Sequence, residues 1–359
     1  MKFGETCALF RSPQRLQGAA FRYLRAVLLP IVEIFPFLEA PRRIVIVTHY
    51  RPDGDAVGST LGLTHYLRAC GHTVTPVVPS ELPPFLGWLP GAGEVLNYEA
   101  RPHPVLGALK EAEVIFCLDL NDLSRTQTLE TPLREATAPR VLIDHHMFPK
   151  DEFFCGTSLP DKSSTCEMVY DFIVQHGGQD KINADMAQCI YTGLLTDTGA
   201  FRFPATTASV HRVVADLKDR GLEHTPVHEA IYDSWTQSRM RFLGFALGER
   251  MEIFPKQKSG LIAISKRDAQ LFNLGPGDTE GLVNYPLSIE GIRFSVLITE
   301  RPAEVRMSFR SKGDFDVNEF ARKHFNGGGH FNASGGKSNL SFAETVAKFK
   351  SLLNQYHPK

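Results

Sequence analysis

Ile44-Val-Ile-Val-Thr-His49-Tyr-Arg-Pro-Asp53-Gly-Asp55-Ala-Val-Gly-Ser59 is the stretch on which the fold turns. Residues 44–48 are short, apolar and β-branched, and a Pro-Asp-Gly turn follows them, so they read as a buried strand. The spacing then predicts a helix over about 57–70, with Gly71 as its stop. Further strands are expected at 74–78, 114–118 and 141–143. Strands alternating with helices predict an α/β fold with a doubly wound parallel sheet. Such sheets bind ligands at the carboxyl ends of their strands. His49, Asp119 and Asp144 each close an apolar strand there, and helices dominate from Thr165 to Arg220.

The pattern changes in the second half. Residues 221–237 are polar with short helical pieces. Strands follow at 261–265, 292–299 and 305–309, the last two as a hairpin. A helix over 317–324 precedes a glycine-rich loop at 327–336, and a last helix covers 341–356. This predicts four segments: a helical extension (1–40), a metal-binding catalytic domain (41–220), a linker (221–240) and a smaller α/β domain with a mixed sheet (241–359).

Composition narrows the function. With 359 residues the chain is long for one domain, and 43% hydrophobic residues suit ordinary packed cores. A formal net charge of −1 argues against capture of long nucleic acid by bulk charge. A small phosphorylated substrate held by a few local groups stays compatible with it. The six cysteines are scattered without a C-x-x-C pair, which fits reduced thiols in a cytoplasm. Residues 21–38 are apolar but interrupted by Arg22, Arg25, Glu33, Pro30 and Pro36. No uninterrupted apolar stretch reaches the length of a membrane span, and the segment reads as an amphipathic helix packed on the first domain.

Four acid-bearing segments carry candidate chemistry. The first is His49, Asp53 and Asp55, whose imidazole and carboxylates suit Mn²⁺ or Mg²⁺. Gly54 and Gly58 read as residues that let the backbone turn tightly and approach a ligand. The competing reading is a helix-capping turn. The second is Asp119, whose two oxygens could bridge two ions, against a plain strand-end cap. The third is Asp144-His145-His146: neighbouring side chains at a strand end diverge, so one imidazole could ligate while the next faces substrate. Asp144 would ligate or orient an imidazole. The fourth is Asp197, at the end of a helical pattern where the dipole disfavours an acid and burial is costly without a partner. Jointly these suit two ions sharing a bridging carboxylate, a site that hydrolyses phosphate esters or anhydrides.

Two segments could grip phosphate. Ser163 and Ser164 precede a helix, where they serve as anion site, N-cap or both. In the second half, Gly327-Gly328-Gly329-His330 could form an anion-binding nest, with His330 adding a charge-assisted bond. Arg310, at the end of a strand, could hold a phosphate bidentately.

At these residues the chain resembles the DHH phosphoesterases, a family named for the triplet seen here as Asp144-His145-His146. Thr-His-x-x-Pro-Asp-Gly-Asp-Ala-x-Gly-Ser matches its first motif, and Thr-Asp197-Thr-Gly-Ala-Phe-Arg-Phe a later one. Gly327-Gly-Gly-His330 is similar to the substrate-binding signature of the associated C-terminal domain. The match runs from about residue 44 to 336. The two-domain layout is most similar to the nanoRNase and 3′-phosphoadenosine-5′-phosphate (pAp) phosphatase branch. Tyr50-Arg51 departs from the motif, where an Asn is common before the Pro.

The resemblance implies metal ligands at His49, Asp53, Asp55, Asp119, His145 and Asp197, with Asp119 bridging. It implies that His146, with Asp144 behind it, serves catalysis at the scissile phosphate. It also implies that Arg310 and the loop of Gly328, Gly329 and His330 hold the nucleotide. The implied cofactors are two divalent ions, Mn²⁺ before Mg²⁺ or Co²⁺. The implied substrate is short RNA or an adenine nucleotide, not long duplex nucleic acid. A cyclic di-AMP or pApA phosphodiesterase is the alternative within the family, and a non-catalytic nucleotide sensor the alternative outside it. A homodimer is compatible with the layout.

Overall fold

The computed structural model describes residues 28–275, 277–302 and 304–356. Its first lobe is built on seven strands: β1 (Leu29–Pro30), β2 (Arg43–Val47), β3 (Thr73–Val78), β4 (Leu96–Asn97), β5 (Val114–Leu118), β6 (Arg140–Asp144) and β7 (Cys155–Ser158). Their spatial order is β1-β7-β6-β5-β2-β3-β4, and every pairing is parallel. The chain runs outward from β2 through β3 to β4, then returns to place β5 on the other side of β2. The strand order therefore reverses between β2 and β5, and a crevice opens at their carboxyl ends.

Helices cover both faces: α1 (Gly54–Ala69), α2 (Pro102–Glu111), α3 (Glu130–Glu135), α4 (Thr165–Gln175), α5 (Ala184–Asp197) and α6 (Ala208–Asp219). The alternation of side chains along each strand explains the layering. Ile44, Ile46, Val114, Phe116 and Leu118 join one buried cluster with residues of α1, α4 and α5. Val45, Val47, Ile115 and Cys117 point the other way, into a second cluster with Val105, Leu109 and Leu133. With both faces covered, the central strands are apolar over residues 44–47 and Val114–Leu118.

The expected helix at 57–70 starts three residues earlier, because the Asp53 side chain accepts hydrogen bonds from the Asp55 and Ala56 amides and caps α1. Gly71, at φ +92°, lies just past its end. Of the segment expected as an amphipathic helix, residues 21–27 lie outside the described residues. The remainder forms β1 and a 3₁₀ helix, Ile31–Glu39, which buries Ile31, Ile34 and Leu38.

Beyond α7 (His224–Tyr232) and α8 (Gln237–Glu249), a second sheet combines β8 (Met251–Phe254), β9 (Ser259–Ile264), β10 (Phe294–Glu300), β11 (Val305–Ser311), β12 (Gly328–Gly329) and β13 (Ala333–Ser338). Its order is β12-β13-β11-β10-β9-β8, mixed in direction, with β9–β10 parallel and the other pairs antiparallel. It is joined by α9 (Lys266–Leu271), α10 (Val317–His324) and α11 (Phe342–Leu353). Phe294, Phe309, Phe320, Phe325 and Phe349 fill this core. The hairpin β10–β11 and helix α10 fall where the sequence predicts them. The glycine-rich stretch does not remain a loop: its ends pair as β12 and β13.

Candidate active site

The crevice between β2 and β5 gathers the acids and histidines. His49 lies two residues beyond β2. Its Nδ1–H donates to the Tyr50 carbonyl at 3.0 Å, so Nε2 is left to face Asp119 Oδ2 at 3.2 Å. His145, just past β6, repeats the device. Its Nδ1 lies 3.4 Å from the Lys162 carbonyl, and Nε2 points at Asp119 Oδ1 (3.5 Å), Asp197 Oδ2 (3.4 Å) and Asp55 Oδ2 (3.8 Å). A backbone partner on one ring nitrogen fixes the tautomer in which the other can ligate a metal.

Asp119 is the centre of the arrangement. Its backbone has φ +57°, a left-handed conformation uncommon for a residue other than glycine and typical of strained functional positions. Oδ2 faces His49, while Oδ1 faces His145 and accepts from the Thr165 hydroxyl at 3.3 Å. The carboxylate is 2% exposed. Burial alone would raise its pKa, but the hydrogen bonds from His145 and His49 and the charge of His146 hold it well below the usual range.

Asp55, in the first turn of α1, is fully buried against the start of α4, where Oδ2 and Oδ1 accept the Thr165 and Cys166 amides at 2.7 and 2.8 Å. Burial and the nearby Asp119 push it up to about 7. Asp197 ends α5, and burial and Asp55 raise it well above an ordinary carboxyl. His145 moves the opposite way: burial would lower it, yet Asp119, Asp197 and Asp55 raise it well above its usual value. These carboxylates crowd together with too little positive charge to neutralise them, which is the electrostatic signature of a cation site.

Four overlapping groups of donors have ligand atoms within 4.8 Å of one another: His49, Asp53 and Asp119; Asp55, His145 and Asp197; Asp119, Asp144 and His146; and His145, His146 and His330. The first two share no residue. All are nitrogen or carboxylate-oxygen donors, suited to Mn²⁺ or Mg²⁺. Asp53 caps α1 through Oδ1 while standing in the first group, so the capping role does not exclude the ligand reading of that residue.

His146 sets its ring edge to face with that of His145, 4.9 Å between centroids. Its backbone amide donates to Asp144 Oδ2 at 3.0 Å, and its Nδ1–H donates to Asp144 Oδ1 at 2.8 Å. Asp144 is fully buried. It stands behind His146 and leaves Nε2 free.

The second lobe closes over these groups. The His330 ring packs 4.6 Å from His146 and 4.9 Å from His145 between centroids. Arg310, on β11, is half-buried and near enough to Asp197 and Glu280 to feel their charge, although burial lowers its pKa.

Several expectations need correction. Gly54 and Gly58 do not turn the chain toward a ligand; they lie within α1 and face α5. A Cβ on Gly54 would sit 2.5 Å from Thr196 Oγ1, one on Gly58 2.5 Å from the Cys189 carbonyl, and one on Gly193 2.2 Å from Cys166 Sγ. The glycines set the close approach of α1 and α5 that brings Asp55 and Asp197 together. Ser163 and Ser164 are buried and already engaged. The Ser163 amide and hydroxyl donate to Glu167 Oε2, and Ser164 Oγ accepts the Glu167 amide as the cap of α4. The capping alternative is the one the geometry supports, and the residue that reaches the site is the next one, Thr165, through its hydroxyl on Asp119 Oδ1. The Gly328–Gly329 stretch is a strand, not an open nest, and the Gly329 amide donates to Asn318 Oδ1 at 3.1 Å. His330 does not favour its charged form here: burial and the neighbouring His146 and His145 push it down to about 3.

Comparison with known proteins gives the family and the fold. Residues 43–194 match the N-terminal domain of the DHH family, and residues 269–357 match the DHHA1 domain. The chain is 31% identical, over 85% of its length and 86% of the relative's, to the bifunctional oligoribonuclease and PAP phosphatase NrnA of Thermus thermophilus. It is 30% identical to the Bacillus subtilis protein of the same name, over 81% of this chain and 88% of that one. Its fold superposes on an exopolyphosphatase-related protein from Bacteroides fragilis with a TM-score of 0.88 at 36% identity, covering 91% of this chain and 96% of that one. No helix among the described residues is long and apolar enough to cross a membrane. The chain belongs to the DHH family of phosphoesterases.

Proposed function

We propose that this hydrolase removes nucleotides from the 3′ end of very short RNA and dephosphorylates pAp, using two divalent cations, Mn²⁺ foremost, with Mg²⁺ or Co²⁺ as substitutes. The observation that carries the reading is the pair of donor groups joined through Asp119, one carboxylate oxygen turned to each histidine. The relatives named as oligoribonuclease and PAP phosphatase support the substrate class.

His49, Asp53 and Asp119 would hold one cation, and Asp55, His145 and Asp197 the other, with Asp119 common to both. When bound, the cations supply a water acidic enough to attack at neutral pH and offset charge on the phosphoryl oxygens. The remaining work belongs to the chain. Asp144 locks the His146 ring, so that Nε2 is presented to the oxygen atoms of the phosphate and can return a proton to the leaving group. Thr165 holds Asp119 Oδ1, and the amides at the start of α4 hold Asp55, so the carboxylates keep their places as charge changes. Arg310 and His330 approach from the second lobe, as neighbours of the nucleotide rather than of the cations. A reducing, cytoplasmic setting is consistent with the five described cysteines, none of them in a disulfide.

The test is a panel of purified protein with Mn²⁺ against pAp, a diribonucleotide, a long RNA, cyclic di-AMP and pyrophosphate. Turnover of the first two, with little on long RNA, is expected. Turnover of pyrophosphate alone would sink the proposal, and turnover of cyclic di-AMP alone would move the substrate to cyclic dinucleotides.

A further inference from the structure

Arg125 lies in a 3₁₀ segment, Leu123–Leu129, six residues beyond Asp119. Its backbone is fastened from both sides: its amide donates to the Asp122 carbonyl at 3.0 Å, and its carbonyl accepts the Tyr50 amide, next to His49, at 2.8 Å. The side chain is treated differently. Nη1 is buried without a hydrogen-bond partner, and the guanidinium forms no ion pair among the described residues. Other half-buried arginines of this lobe are satisfied: Arg42 by Glu113, Arg140 by the Leu133 and Glu152 carbonyls, Arg220 by Asp216. The charge of Arg125 is felt by His49 on the first lobe and by His330 on the second, so the guanidinium lies near both.

An unsatisfied buried N–H on a permanent cation is costly unless an anion completes it. The nearby carboxylates are turned toward His49 and His145. The missing acceptor must therefore come from outside the chain, and a phosphate oxygen suits a planar guanidinium best. We propose that Arg125 is a substrate-binding residue that grips a non-bridging oxygen of the phosphate under attack, an inference that rests on the phosphoesterase reading above.

Arg125→Ala, Arg125→Lys and the parent are compared for Mn²⁺-dependent hydrolysis of pAp and a diribonucleotide, with Mn²⁺ binding measured in parallel. Arg125→Ala is expected to lose about 10²-fold in kcat/KM, the scale of one donor to a developing charge. Added guanidinium at non-denaturing concentration should restore part of it, Arg125→Lys should fall between, and Mn²⁺ affinity should not change. Guanidinium rescue is the readout that a merely structural arginine would not give. Unchanged kinetics in Arg125→Ala, or a loss that guanidinium does not restore while Mn²⁺ affinity falls, overturns the assignment. Should the parent hydrolyse neither substrate, the substrate reading fails by itself. Calorimetric binding of AMP to the Mn²⁺-loaded proteins then decides Arg125: weaker binding in Arg125→Ala supports it, and equal binding refutes it.

Discussion

The two lobes meet the crevice with opposite electrostatic problems. The first presents Asp53, Asp55, Asp119 and Asp197, whose ion-pair partners are imidazoles while the nearby Arg125 stays unpaired, and its histidines are driven toward protonation. The second presents His330, driven to about 3, and Arg310, whose charge is disfavoured by burial. One wall is short of positive charge and the other is held from carrying it. Cations on the first wall followed by a phosphate against the second would resolve both. The difference teaches that neither lobe is a complete site, and that the ligand supplies the charges the fold withholds.

The largest test of this contrast is Asp119→Asn. Asn tolerates the left-handed backbone and keeps the shape, so only the shared negative charge is lost. No turnover above background is expected, with Mn²⁺ affinity reduced by calorimetry; near-parental turnover would refute the bridging role. Asp144→Asn tests whether His146 depends on its partner. A loss of about 10–100-fold in kcat with Mn²⁺ binding retained is expected, as for groups that orient an active residue, and a loss of metal instead would mark Asp144 as a ligand. On the opposite wall, Arg310→Ala should raise KM by about 10-fold or more, the worth of one hydrogen bond to a charged group, with the metals unaffected. An unchanged KM would remove Arg310 from the substrate side. Ser164→Ala marks the small end: a loss of about 1 kcal/mol in unfolding free energy from the missing cap, read by denaturant titration, with kcat/KM unchanged. A drop in kcat/KM there would revive Ser164 as a phosphate contact.

The first lobe was far more readable in sequence than the second. Strands buried on both faces leave continuous apolar runs, and the residue that ends each run falls at the crevice, so His49, Asp119 and Asp144 were placed by pattern alone. The short strand β7, Cys-Gly-Thr-Ser, one in from the sheet edge, carries no such run and was missed. Glycines were misread in both lobes for one reason: a missing Cβ signals close approach, but not to what. At Gly54 and Gly58 the neighbour is a helix, and at Gly327 it is the Gly335 carbonyl across a strand pair, 2.0 Å from where a Cβ would sit. Thr165 was not singled out, because Ser163 and Ser164 beside it carry the same capping signal. Arg125 could not be singled out at all, since an unpaired guanidinium is a property of the folded chain.

The glycine seam between α1 and α5 has a consequence for metal selectivity. Asp55 rides on one helix and Asp197 on the other, so the helix separation sets the gap between two carboxylates that share a donor group. The methyl of Gly193→Ala would press on Cys166 Sγ and, at 2.7 Å, on Asp55 Oδ1. A slightly wider gap suits Ca²⁺, which binds oxygen at roughly 2.3–2.6 Å, better than Mg²⁺ at roughly 2.0–2.1 Å. At the cation site proposed above, the seam would thus act as a size filter: residues that never touch an ion would set the radius of the one admitted.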